Sequence, residues 1–178
     1  MIFIGFGFLM TFLRKYGFSS VGFNFLISAL VIQVSMLTSH WWHCVFDGGW
    51  KDLELQITTL IAADFAAGAA MITFGAILGK TSPLELVFIA IVEMIFYGLN
   101  EQIGVVKLKA VDMGGSIFVH TFGAYYGLAV SYMVTPRDKL EEKDEGSTHT
   151  SDMFAMIGTI FPIPAGAALS SPGTGFTV

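Results

Sequence analysis

Charge is what this sequence has least of. Only 13% of its 178 residues are Asp, Glu, Lys or Arg, where a soluble domain carries about a quarter, and that deficit excludes an ordinary water-soluble fold. Cys44 is the single cysteine, so an internal disulfide framework is excluded while the redox compartment is left undecided. The nine Lys and Arg residues are scattered and form no basic patch, which removes nucleic acid as a partner. The net charge of −5 gathers largely in one place, Asp138 to Glu145, where five acids meet two lysines; it gives the chain no global acidic character. The first apolar stretch starts at Met1 without a charged n-region or a small-residue cleavage site, so it is not read as a secretory signal peptide.

What fills the space is apolar. Hydrophobic residues make up 54% of the chain and mean hydropathy is +0.70. Seventeen Phe and twenty Gly suit small residues packed against large ones in lipid. A spanning helix needs about 20 mostly apolar residues. Tyr16 to Phe46 and Met113 to Pro136 contain no Asp, Glu, Lys or Arg. Phe65 to Gly79 is equally free of them and reaches spanning length from Ile57 if Asp64 lies within it, and Leu86 to Val106 is long enough with Glu93 and Glu101 inside. The expectation is an all-α membrane protein, a bundle of about five transmembrane helices at 1–13, 21–40, 57–78, 84–106 and 113–134, with a further helix starting at 153–161. The first is too short for a full span and reads as a helix lacking its beginning.

Counting the loops as alternating sides sets the orientation. Arg14, Lys15, Lys80, Arg137, Lys139 and Lys143 fall on one side, Lys51, Lys107 and Lys109 on the other. The positive-inside rule places the first set in the cytoplasm. The segment 40–56, read as a loop, then faces outward, and its Trp41, Trp42 and Trp50 either join an interfacial aromatic belt or simply pack. The charged segment 135–152 is expected to be a solvated cytoplasmic connector.

Ionisable groups at membrane depth are costly and therefore mark function. The candidates are Asp64, Glu93, Glu101, Asp112 and His120, and the densest cluster is KAVDMGGSIFVHTFGAYYG, Lys109 to Gly127. Asp112 directly precedes an apolar run, where a carboxylate can accept hydrogen bonds from the free N–H groups of a first helical turn. It is either a plain helix cap or part of a site. His120 lies eight residues on, about 12 Å deeper at the helical rise. Its imidazole needs partners from a neighbouring helix or a water-lined path. Gly123 and Gly127, three and seven residues on, have the spacing that shares a helical face with it, and Ser116 extends that face with a hydroxyl. His40 and His43 are three apart with no third ligand at a suitable spacing, so no metal site is expected. No cofactor is implied.

Four strings carry a resemblance: DMGGSIFVHTFGAYYGL, IAADFAAGAAMITFGAILGK, MIFIGFGFLMTFLRKYGFSSVGFNFL and SDMFAMIGTIF. Together, in this order over residues 1 to 161, they resemble the Rh glycoprotein branch of the ammonium transporter family. The resemblance implies a trimer of eleven- or twelve-helix subunits in the plasma membrane. Each subunit would hold a narrow apolar pore for ammonia, and in some members carbon dioxide. It implies that His120 is the first of two paired pore histidines, that Asp112 is the buried acid supporting the ammonium site, and that Phe65 is one of two stacked phenylalanines gating the outer pore. Asp64 and Glu101 would belong to an acidic outer region that attracts ammonium.

The chain also departs from that pattern. The family's first helix and glycosylated loop would precede Met1, its inverted second half with the other histidine is missing, and PIPAGAALSSPGTGFTV follows Phe161. Residues 1–161 therefore read as a partial transporter-like membrane domain, a fragment of the N-terminal half, and 162–178 as an unrelated disordered tail in which Pro162 and Pro164 interrupt the helix. The expected function is transmembrane transport of ammonium, conducted as ammonia after deprotonation and incomplete in this fragment. The alternative is a non-transporting subunit that associates with full-length chains. An enzyme using His120 with Asp112 or Glu93 as base and acid is not expected, because no nucleophile or metal-ligand set accompanies the histidine.

Overall fold

In lipid every backbone polar group must be satisfied within the protein, which leaves the helix as the form available to apolar runs of this length. The computed structural model describes residues 2–50, 52–135 and 146–161, and the regular elements among them are helical throughout. Helix α1 (Ile2–Leu9) continues as a tighter turn over Met10–Phe12; α2 is Gly17–Asp47, α3 Ile57–Ile77 and α4 Pro83–Glu101. A π-helical turn over Gln102–Lys107 prolongs α4. After a short connection come a tight turn over Met113–Gly115, a second π-helical turn over Ser116–Thr121, α5 (Phe122–Val134) and α6 (His149–Ile160). Among the described residues four stretches are long and apolar enough to cross a membrane: Gly17–Asp47, Ile57–Ile77, Pro83–Lys107 and Ser116–Val134; Ile2–Phe12 is shorter.

Helix α3 forms the centre because its side chains are small on nearly every side. Ala66, Ala67, Ala69, Ala70 and Met71 are buried, and so are Thr73, Phe74 and Ile77. Small residues let neighbouring backbones approach closely, and α5 does so through glycine. A Cβ at Gly123 would stand 2.7 Å from the Ala69 carbonyl oxygen, and one at Gly127 would stand 3.0 Å from Thr73 Cα. Gly98 of α4 serves α2 in the same way, with Trp42 Cδ1 3.0 Å from where its Cβ would be. Helices α1 and α6 pair beside α2. Gly158 rests on the backbone of Phe8 and Leu9, and Phe154 stacks on Phe8 and meets Phe18 edge-on.

Three boundaries differ from the expectation, the first being the start of α2 at Gly17 instead of 21. Helix α2 does not end near His40 but runs to Asp47, so 40–47 is helix rather than loop. The extension has a reason in packing: Trp42 Nε1 donates to the Ile95 carbonyl at 2.8 Å, and Cys44 is buried. The helix stops at Gly48, whose left-handed φ of 71° lets its N–H close on the Cys44 carbonyl. Trp42 thus packs, while Trp41 and Trp50 stay exposed. Helix α6 begins at His149 instead of 153, because Thr148 and Ser151 form a reciprocal cap. Most of the expected connector (136–145) and the expected tail (162–178) lie outside the described residues.

Candidate functional site

The helices alternate in direction, and cross-links at both ends fix the arrangement. Tyr16 covers Gly79 and Lys80 Nζ bonds Ser131 Oγ at 2.9 Å at one end. Ser39 Oγ donates to Glu101 Oε2 at 3.2 Å at the other. The start of α3, the end of α4 and the lead-in to α5 therefore share one end of the bundle. Asp64, Phe65, Glu101, Asp112 and His120 all belong to it.

Asp112 is the best anchored of these. Its carboxylate is 2% exposed. Oδ2 accepts the N–H groups of Ile117 at 2.8 Å and Phe118 at 2.9 Å, and Oδ1 accepts the Ser116 hydroxyl at 2.9 Å. A carboxylate five and six residues upstream reaches those amides only because Gly114 and Gly115 turn the chain back with φ of 80° and 75°, a conformation that side chains resist. Asp112 is thus bonded as a helix cap, one of the two readings its sequence position left open. Its negative charge sits at the positive end of the following helix.

His120 is exposed, whereas Gly123 and Gly127 are buried against α3. The stretch that the spacing joins is thus closed at its two glycines and open at His120. The π-helical turn over Ser116–Thr121 holds more residues than an α-turn, and it alters the rotation of the residues that precede His120. Behind it, Val119 lies 3.5 Å from where a Cβ of Gly68 would be, and the Phe118 ring occupies the space that Gly104 leaves open. Phe65, one turn before Gly68 on α3, is half-buried against the core, and Asp64 beside it is half-buried.

An open groove of about 610 Å³ runs between α4 and the start of α5, lined by Phe96, Asn100, Ile117, Thr121, Phe122, Tyr125 and Tyr126. Ile117 lies three residues before His120 and Thr121 directly after it, which gives the histidine end of α5 an apolar rim with a few polar tips.

Glu93 is placed elsewhere. It is fully buried, with Oε1 accepting the Thr73 hydroxyl at 2.6 Å, beneath the α3–α5 contact and not beside His120. Sequence reasoning missed Thr73, Ser39 and Thr121, since an isolated Ser or Thr in an apolar run is common; only HTFGAY, which contains Thr121, carried a signal. His40 Nε2 lies 3.5 Å from Cys44 Sγ and His43 Nε2 3.4 Å from Asp47 Oδ2, each pair one turn apart on α2. Among the described residues no three His, Cys, Asp or Glu side chains converge on a metal position.

Four spanning helices around a small-residue centre define an integral, multi-pass membrane protein. Within that class, the chain belongs to the Ammonium Transporter Family, whose sequence model matches residues 1–162. It is 53% identical over 163 residues to ammonium transporter Rh type B of Xenopus tropicalis, covering 90% of this chain and 35% of that protein. Identity is 49% to human Rh type B, again over 90% of this chain and 35% of the relative, and 46% to Rh type C of Xenopus laevis, over 90% and 34%. The chain thus spans about a third of the length of these curated relatives. A solved structure of Nitrosomonas europaea Rh50, described as one of the Rhesus protein family of channels, superposes with a TM-score of 0.80 at 29% identity, covering 97% of this chain and 46% of that one. Transporters and a channel among the relatives set the enzyme reading aside.

Proposed function

We propose that this chain contributes one half of a path for ammonium and ammonia across a membrane. The observation that carries the reading is Asp112 locked onto the first turn of the helix whose His120 faces outward from the bundle. A permanent cation in a narrow apolar path faces a desolvation cost of order tens of kcal/mol by the idealised Born estimate. A neutral molecule crosses far more easily, so ammonium gives up its proton to water at the mouth and enters as ammonia. Asp64 and Glu101, at the same end of the bundle, concentrate the cation at the mouth. Phe65 offers a π face that can hold it, and a neutral imidazole at His120 hydrogen-bonds ammonia on the way through. Asp112 fixes the start of the helix that carries His120. The half opposite His120 is supplied by further chain of the same family, within a trimer in the plasma membrane. Carbon dioxide, small and uncharged, is a second permeant on this reading, and the spanning helices are solvated by lipid.

The test is uptake of ammonia and methylammonia into vesicles or oocytes. This chain alone is expected to give no flux above background, while a full-length Rh type B relative conducts. Saturable flux from the chain alone that vanishes in His120→Ala overturns the half-path reading in favour of two copies completing each other. Absence of flux together with reduced flux of a co-expressed full-length chain identifies a subunit that associates without transporting.

A further inference from the structure

Glu93 is an ionisable group that the proposed path leaves unused, and its surroundings restrict the form it can take. It sits near the middle of the Pro83–Lys107 span and is 0% exposed. One oxygen is committed, since Oε1 accepts the Thr73 hydroxyl at 2.6 Å. The other, Oε2, is buried without a hydrogen-bond partner. Among the described residues no cation acts on the carboxyl, and the polar group that does is Thr73. Lys80, just beyond α3, is engaged with Ser131, and the His43–Asp47 ion pair lies on α2. An ionised carboxylate taken out of water without a partner costs more than a fold's whole stability, so such a group neutralises instead.

A proton on Glu93 also gives the free oxygen a use. Oε2 becomes a hydroxyl donor, and Tyr126 offers an acceptor. The Tyr126 hydroxyl stands within electrostatic reach of Glu93 and gives its own proton to the Ile89 carbonyl at 3.4 Å, which leaves its lone pairs open. Helical side chains lean toward the N-terminus, and that lean carries Glu93 toward the turn of Ile89. Tyr126 also lines the groove beside α5, so the carboxyl lies behind one wall of it. We infer that Glu93 is a proton-binding site: its carboxyl is held as a neutral acid, with Oε1 accepting from Thr73 and a hydroxyl on Oε2 directed toward Tyr126. The biological meaning rests on the conduction reading. With the proton in place Glu93 adds no fixed charge to the centre of the bundle and offers ammonium no place to stop there, as a path for a neutral molecule requires.

The experiment is infrared spectroscopy of the purified chain in lipid nanodiscs at neutral pH. The parent is expected to show the C=O stretching band of a neutral carboxylic acid that Glu93→Gln lacks; the difference between the two spectra cancels the other acids. Thr73→Val removes the donor to Oε1 and is expected to move that band to higher wavenumber, while Thr73→Ser leaves it in place. A parent-minus-E93Q spectrum that holds ionised-carboxylate bands in its stead, or no band at all, overturns the inference. A band lost in E93Q but unmoved in T73V overturns the placement of the proton on Oε2. If E93Q fails to fold, T73V and T73S decide: a carboxylic-acid band that moves in the first and not in the second assigns the proton to Glu93, and the absence of any band that moves overturns it. The spectrum reads protonation and not flux, so this inference and the transport proposal fail separately.

Discussion

The Thr73 hydroxyl lies 2.6 Å from Glu93 Oε1 and 3.2 Å from the Gly123 carbonyl oxygen, so a single side chain of α3 joins α4 and α5 in the dry centre of the bundle. One hydroxyl carries one proton, and the short contact goes to the carboxyl. Interhelical hydrogen bonds in membranes contribute about 0.6 kcal/mol on average and at most about 1.7. Thr73→Val is expected to lower unfolding stability in detergent by an amount in that range, and Thr73→Ser to restore it. Glu93→Gln keeps an acceptor in place and is expected to stay near the parent. Equal stability of the Val and Ser variants at position 73 shows that the bond contributes nothing.

At Gly123 α5 meets the backbone of α3, and a methyl there would stand 2.7 Å from the Ala69 carbonyl oxygen and 3.1 Å from Ile72 Cβ. Neither partner is the end of a flexible side chain, so the helices must part. Gly123→Ala is expected to cost about 1–3 kcal/mol, the range of overpacking, seen as a lower melting temperature and loss of monodisperse protein in detergent. Gly22→Ala is the control. Nothing lies within 4 Å of a Cβ at Gly22, and that variant should keep or slightly raise stability. A tolerated Gly123→Ala would show that the two helices are less closely seated.

Asp112→Ala removes the acceptor of two amides, those of Ile117 and Phe118. A buried unsatisfied donor costs about 1–3 kcal/mol. Amide hydrogen exchange at residues 117 and 118 should quicken strongly in the Ala variant. Asp112→Asn should be intermediate, since its amide oxygen can accept both N–H groups while its NH₂ turns to the Ser116 oxygen. Unchanged exchange in the Ala variant means the cap is dispensable.

The charge count puts residues 40–56 outside and 135–152 in the cytoplasm. Native Cys44 is a poor reporter because it is buried, with its sulfur against His40. Gly49 and Ser147 are exposed. In a Cys44→Ser background, Gly49→Cys should react with an impermeant maleimide on intact cells and Ser147→Cys only after permeabilisation. The reverse pattern inverts the orientation.

Some of this was legible along the chain. Runs of 20 or so apolar residues announced the spanning helices, since hydrocarbon thickness is a length that composition alone can meet. The position of Asp112 before such a run left a cap and a site as its two readings, the cap because first-turn amides need an acceptor wherever a helix starts. Boundaries were less legible. The end of α2 near His40 was misread because the Trp42 bond to Ile95 and the burial of Cys44 join residues far apart in sequence.

The direction of His120 was not legible at all. Spacing along an ideal helix puts it with Gly123 and Gly127, yet the structure exposes it and buries them. Spacing counts residues along one helix, whereas exposure depends on which neighbouring helix covers each of them. Around it, the Phe118 ring fills the space at Gly104 and Asp112 accepts the Phe118 amide, contacts that no spacing in the sequence reveals. Glu93 makes the same point: the sequence showed a carboxyl inside the membrane, and only the crossing of α3 over α4 gave it Thr73. What the sequence by itself determined is therefore where helices lie and where polar groups interrupt them, because helix length and hydropathy are local properties. What only the tertiary structure decided is which way each polar group faces and what it meets, because register and contact arise when distant segments pack.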